Sequence, residues 1–146
     1  MNPNDGFREL GRQECLDRLG DAPIGRVVHT RDALPAVLPV NFCLDADSAV
    51  VLRTSADSEL ARTIDGVVVA FEADAVDATA HSGWSVVVTG HAQVVSDPAE
   101  HDRLIRTGPR SWVASPHEVF IRIAAELVTG RELVGGRTQY GVELSS

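Results

Sequence analysis

The chain has 146 residues, 44% of them apolar, which is enough for one sizeable core and too little for two, so a single domain over 1–146 is expected. Its 13 lysines and arginines against 21 aspartates and glutamates give a net charge of −8, so no general electrostatic attraction to nucleic acid or to an anionic membrane is available. The opening MNPNDGFRELGRQE lacks the apolar core of a signal peptide, and no run approaches the roughly 20 apolar residues that span a bilayer, so a soluble cytoplasmic protein is the expectation.

In chain order, FRELGRQECLDRL sets Leu10, Cys15, Leu16 and Leu19 on one stripe and predicts an amphipathic helix over 8–20. After the breaker GDAP the pattern turns to strands: IGRVVHTR, the turn DALP, AVLPVNFCLD, the turn ADS, then AVVLRT. Within the second strand Leu38, Val40, Phe42 and Leu44 share one face, while Pro39, Asn41 and Cys43 point the other way. SELARTI predicts a short helix with Leu60 and Ile64 one turn apart, and GVVVAFEAD a mostly buried strand. GWSVVVTGHAQVV reads as a long strand in which Gly90 suits a sharp bend or a close backbone approach, the kind of strand that closes a small barrel. DPAEHDRLIRTG predicts a helix, with proline just inside its start and glycine at its end, that caps a barrel end. HEVFIRIAAELVTGREL fits both periodicities; its β-branched start favours a strand to about Ala125. The glycine-rich stretch over 134–146 is expected to be flexible or draped on a partner chain. About six strands with flanking helices make the fold mainly β, a small barrel.

The joint RTSADSELA joins a strand to a helix. Ser55 or Asp57 can cap that helix, and Arg53, Thr54 and Ser58 add a guanidinium and hydroxyls around a helix start that favours negative charge. A phosphate monoester fits such a joint. An ordinary capped helix, with Arg53 paired to Asp57 or Glu59, also accounts for it. Trp84 and Ser85 in GWSVVVTG suit stacking and hydrogen bonding to a planar ring, or plain packing. Asn41 in PVNF suits a ring carbonyl or nitrogen, or a strand edge. The five histidines show no metal-ligand spacing, and Cys15 and Cys43 no CxxC, so no metal is expected and the thiols are read as reduced and packed. No GxSxG elbow, P-loop or GxGxxG turn is present.

The ordered segments GRVVHTRDALPAVLPVNF, VVLRTS, VVVAFEAD, GWSVVVTGHAQVV and FIRIAAELVTGREL together resemble the pyridoxamine 5′-phosphate oxidase-like flavin-binding split β-barrels, most of all the short actinobacterial-type branch related to nitroimidazole resistance proteins. The resemblance covers roughly residues 12 to 133. It implies a six-stranded split barrel that forms a homodimer, with FMN in grooves between subunits. Carried over by position, it sets Pro39, Val40 and Asn41 beside the isoalloxazine, Arg53, Thr54, Ser55 and Ser58 toward the phosphate, and Trp84 and Ser85 in the same groove.

Where the family pattern often has serine or threonine followed by lysine, this chain has Ser58 and Glu59. A carboxylate facing the phosphate would weaken FMN binding, or mark a deazaflavin coenzyme or haem as the ligand; alternatively Glu59 swings outward to pair with Arg62. The tail RELVGGRTQYGVELSS lacks the arginine–histidine pair that holds substrate in true pyridoxamine phosphate oxidases, so vitamin B6 oxidation is not expected. The resulting expectation is an FMN-dependent oxidoreductase acting on a small molecule, with no catalytic acid or base nominated. The alternatives are a non-catalytic cofactor-binding barrel, one that has lost FMN, or a groove that serves mainly dimerisation.

Overall fold

The computed structural model describes residues 6–111 and 117–133; the glycine-rich stretch over 134–146 lies outside the described residues. Eight strands and three helices follow one another as β1 (Phe7–Glu9), α1 (Arg12–Asp21), β2 (Ile24–Arg31), β3 (Leu34–Leu44), β4 (Val50–Ser55), α2 (Glu59–Thr63), β5 (Val68–Asp77), β6 (Ser82–Val94), α3 (Pro98–Thr107), β7 (Glu118–Ile123) and β8 (Leu127–Leu133). The sheet order β1-β8-β6-β5-β2-β3-β4-β7 is closed by a further β6–β7 ladder, which makes β2 to β7 a six-stranded barrel. These are the six strands expected from the sequence. Among the described residues no helix is long and apolar enough to cross a membrane.

Alternation along each strand builds the interior. Val27, Val50, Leu52, Val69, Phe71, Val86, Val88, Ile121 and Ile123 turn inward and are buried. From outside the strands, α2 adds Leu60 and Ile64 to the same cluster, and α1 adds Cys15, Leu16 and Leu19. Each such aliphatic side chain contributes roughly 1.5–3 kcal/mol by leaving water. Both cysteines are free, and burial pushes both thiols up.

Gly90 marks where the long strand β6 changes partners. Up to Thr89 it pairs with β8, and from Ala92 it pairs with β7. Between them residues 124–126 form a bulge on the neighbouring edge, and the Ala124 carbonyl oxygen lies 1.8 Å from where a Cβ on Gly90 would sit. The His91 carbonyl accepts from Ala124 N–H at 3.0 Å. The His91 N–H, which the bulge takes out of the ladder, donates instead to the Glu126 carboxylate at 3.0 Å, and that bond leads the lowering of the Glu126 pKa. The strand expected to about Ala125 ends at Ile123, and a second strand not foreseen from HEVFIRIAAELVTGREL follows it, Leu127–Leu133.

Three further expectations are corrected. The helix starts at Arg12 rather than residue 8, because Phe7–Glu9 pairs with Arg131–Leu133. α3 covers the outside of the barrel wall rather than an end, because Val51 and Phe120 point outward and bury Leu104 with Val95. The strand GVVVAFEAD buries its inner face, while Val68 on its outer face stays 53% exposed.

A network of charges fastens α3 and β7 to the β3–β4 turn. Asp45 accepts from Arg103 at 3.0 and 2.9 Å and from Arg122, which also pairs with Asp47. The Arg103 hydrogen bonds, against the opposing effect of burial and with the bond from Arg122, hold the Asp45 carboxyl far below the usual carboxylate range.

Candidate functional site

The β3–β4 ladder is short: Phe42–Leu44 pairs with Val50–Leu52 and the pairing then stops. Beyond that point β3 stays on β2 as far as Leu34, and β4 stays on β7 as far as Ser55. The two strands diverge, and the wedge between them is a cleft of about 510 Å³ lined by Ile24, Leu38, Pro39, Val40, Asn41, Arg53, Thr54, Ser55, Ser111 and Glu118. One wall is mostly apolar. The other carries a guanidinium, three hydroxyls and the Glu118 carboxylate. A flat, largely apolar ring with an anionic tail is the chemistry such walls accommodate.

Of the expected site residues, the structure brings Pro39, Val40, Asn41, Arg53, Thr54 and Ser55 into this one cleft. Arg53 lies over the ring of Phe120, 5.3 Å from its centroid, and its Nη2 is 2.9 Å from the Glu118 carboxylate. Nε donates to the same carboxylate oxygen at 3.0 Å, and the Pro109 carbonyl stands 3.4 Å from Nη1. Ser111 Oγ donates to the second oxygen of Glu118 at 2.5 Å. The side chains of Arg53 and Glu118 are only 17% and 11% exposed, so their attraction is screened less than that of a surface pair. The Asn41 side-chain amide donates to the Arg110 carbonyl.

At the joint, the residue that caps α2 is Ser58, not Ser55 or Asp57: its hydroxyl accepts from Ala61 N–H at 3.0 Å. The chain makes a turn after Ser55, which delays the helix to Glu59; Ser55 Oγ accepts from Asp57 N–H within that turn. Thr54 Oγ1 donates to Ser58 Oγ at 3.1 Å, so Ser58 stands behind Thr54 and does not itself line the cleft. Arg53 pairs with neither Asp57 nor Glu59. Glu59 pairs with Arg31 at the end of β2, and Arg62, its expected partner, donates to the Asp57 carbonyl at 2.8 Å. Glu59 is not part of the cleft lining.

Trp84 and Ser85 lie elsewhere in the chain. They line a second cleft of about 320 Å³ with Phe7, Asp74, Val76, Ser82, Gly83, Arg131 and Leu133. Arg131 sits over the Phe7 ring at 4.2 Å. Half-buried, Trp84 also packs against the main core. Sequence reading missed Glu118 and Ser111. Glu118 alternates with Phe120 and Arg122 on the outward side of β7, but nothing local to HEVFIRI says that β4 lies alongside.

The pattern of the pyridoxamine 5′-phosphate oxidase family matches residues 11–132. An uncharacterized protein of Mycobacterium tuberculosis, Rv0080, is 41% identical over 140 residues, covering 86% of this chain and 85% of its own. Among solved structures, the FAD binding protein of Mycobacterium smegmatis is 32% identical with a TM-score of 0.77, covering 86% of this chain and 98% of that one. A conserved protein of unknown function from Corynebacterium diphtheriae, DIP1874, is 33% identical with a TM-score of 0.75, covering 89% of this chain and 100% of that one. A 5-nitroimidazole antibiotic resistance relative from Bacteroides thetaiotaomicron, at 15% identity and a TM-score of 0.65, shares the fold. With its split barrel and a family pattern running from Gly11 to Glu132, this chain belongs to the pyridoxamine 5′-phosphate oxidase family.

Proposed function

We propose that the protein is a homodimeric, flavin-binding oxidoreductase acting on a small molecule, with the flavin ring in the wedge between β3 and β4. The observation that carries this reading is the wedge itself, which sets an apolar wall at Ile24, Leu38, Pro39 and Val40 opposite Arg53, Thr54 and Ser55. The Mycobacterium smegmatis relative, described as an FAD binding protein, supports a flavin. A bound flavin supplies the electron transfer. The chain's own residues would hold and orient it: the apolar wall would keep water from the ring, Asn41 would stand at the ring edge, and Arg53 and Ser55 would offer donors to a phosphate. A cytoplasmic setting agrees with the free Cys15 and Cys43.

The outward face of the sheet supports the dimer. Cross-strand register sets Val37, Val28, Ala70, Thr89 and Leu127 in one row and Pro39, Arg26, Glu72, Val87 and Thr129 in the next. On this face Val37, Val68 and Leu127 are 61%, 53% and 58% exposed, apolar positions flanking the Arg26–Glu72 ion pair, and a second copy would cover them. A two-fold axis along the strands would lay the β6–β8 side of one copy against the β3 side of the other. Ser85, which shares the outward face with Val87 and Thr89, would thereby approach the wedge of the partner, whereas Trp84 has the parity of the inward Val86 and Val88 and packs on its own core.

Between the two flavins, FMN and FAD, the Glu118 carboxylate already held on Arg53 favours FAD. The deciding experiment is titration of dialysed protein with FMN and with FAD, followed by flavin fluorescence quenching, with a deazaflavin coenzyme and haem run in parallel. Saturable binding of one flavin per subunit supports the proposal. Failure of both flavins up to about 100 μM, weaker than roughly 5.5 kcal/mol, sinks it and passes the reading to the deazaflavin, to haem or to a barrel without a cofactor.

A further inference from the structure

We infer that Glu118 sets which phosphate the wedge accepts, selecting against a dianionic phosphate monoester and in favour of the singly charged phosphates of a diphosphate diester. The inference rests on the flavin reading for its choice of ligands, but its physical basis is a cluster within this chain.

Among the described residues Arg53 is the cation of the cleft lining, and its guanidinium is already engaged from several sides. One Glu118 oxygen accepts from both Nε and Nη2, at 3.0 and 2.9 Å. The Pro109 carbonyl approaches Nη1, and the Phe120 ring lies beneath. Glu118 is held in turn by Ser111 Oγ on its other oxygen. The carboxylate is thus an internal anion occupying the fork that an incoming phosphate would use.

A ligand phosphate has two ways in. It displaces Glu118, leaving a carboxylate that is 11% exposed without its cation, or it binds beside Glu118 and shares Arg53 with it. Either way the cost rises with the charge on the phosphate. A terminal monoester such as that of FMN carries about −1.5 to −2 at neutral pH, on the pattern of phosphorylated side chains. Each phosphorus of a diphosphate diester such as FAD carries a single negative charge. The second charge of the diester sits one phosphorus further off, so the same carboxylate repels the monoester, whose charge is gathered on one phosphorus, more strongly. Thr54 and Ser55, which are uncharged, do not discriminate between the two.

The test compares the wild-type chain with Glu118→Gln, which keeps the shape and the contact to Arg53 but removes the charge. Dissociation constants are measured for FMN, FAD and riboflavin, the last reporting ring binding without phosphate. The expected result is a tightening for FMN of about tenfold or more, a smaller one for FAD and none for riboflavin. An unchanged FMN-to-FAD ratio overturns the inference.

A second measurement needs no flavin: modification of Arg53 by phenylglyoxal, read by peptide mass spectrometry, with inorganic phosphate as protectant. Protection in Glu118→Gln at a tenth or less of the phosphate concentration that the wild type requires supports the role of Glu118. Equal concentrations overturn it. Failure of every flavin to bind, with the phosphate difference intact, removes the flavin reading and the choice between flavins and leaves standing only that Glu118 opposes an anion at Arg53.

Discussion

Arg53 on β4 and Glu118 on β7 are diagonal neighbours across one ladder, in which Arg53 stands opposite Phe120 and Ser55 opposite Glu118, and their charged groups are 2.9 Å apart. This pairing satisfies a cation at the edge of the wedge before any ligand arrives. Both partners are largely shielded, so removing either one leaves a shielded charge behind.

Replacing Arg53 by methionine is expected to lower stability by about 2–3 kcal/mol, because Glu118 then keeps only its Ser111 partner among the bonds described above. Glu118→Gln should cost about 1 kcal/mol, since an uncharged hydrogen bond to Arg53 persists. Urea unfolding midpoints compare the two. Equal losses would show that the charge of Glu118 is as important to the fold as that of Arg53.

Glu59→Gln is expected to change FMN affinity by less than about threefold, the scale of an exposed ion pair. Its partner is Arg31 and it does not line the cleft. A gain of tenfold or more in the FMN titration would place its carboxylate at the phosphate instead.

Gly90→Ala should destabilise the barrel by about 3 kcal/mol, toward the upper end of the overpacking range. The added methyl meets the carbonyl oxygen of Ala124, which is backbone and holds the bulge. A thermal scan that matches the wild type would mean that the bulge shifts freely.

Asp45 gives a pH dependence of definite sign. Its folded-state pKa lies below the ordinary value of 3.8, so its contribution is fully present above that value and is lost as pH falls through the folded pKa. Asp45→Asn should therefore cost about 1.5–3 kcal/mol at pH 7, the range for hydrogen bonds to charged groups. The gap to the wild type should close in strong acid. A gap that stays constant down to pH 2 would assign the loss to geometry rather than charge.

Val68→Glu, on the outward face of β5, is expected to convert a dimer to monomers without loss of strand content, measured by sedimentation and circular dichroism. A dimer of unchanged strength would move the interface to another face.

The sequence by itself determined the parts of this protein whose physics is local. Alternation in AVVLRT, VVVAFEAD and GWSVVVTGHAQVV fixes which side chains can share a barrel interior, because neighbouring residues of a strand must point to opposite faces. The spacing of Leu60 and Ile64 gives α2 its inward stripe, and Gly90 announces a place where a backbone must come close. Six of the nine expected site residues meet in one cleft, because they belong to two segments, PVN and RTS, that each lie on one strand.

What only the tertiary structure decided is everything set by register between distant segments. Arg53 faces Phe120 and Glu118 because β4 pairs with β7, and no residue near either strand encodes the other's position. The same holds for Glu59 turning to Arg31, for Phe7–Glu9 becoming a strand against Arg131–Leu133, and for Trp84 and Ser85 entering a second cleft. Periodicity states which face a side chain takes. The closure of the barrel decides which charge it meets there, and at Arg53 that charge is the carboxylate of Glu118.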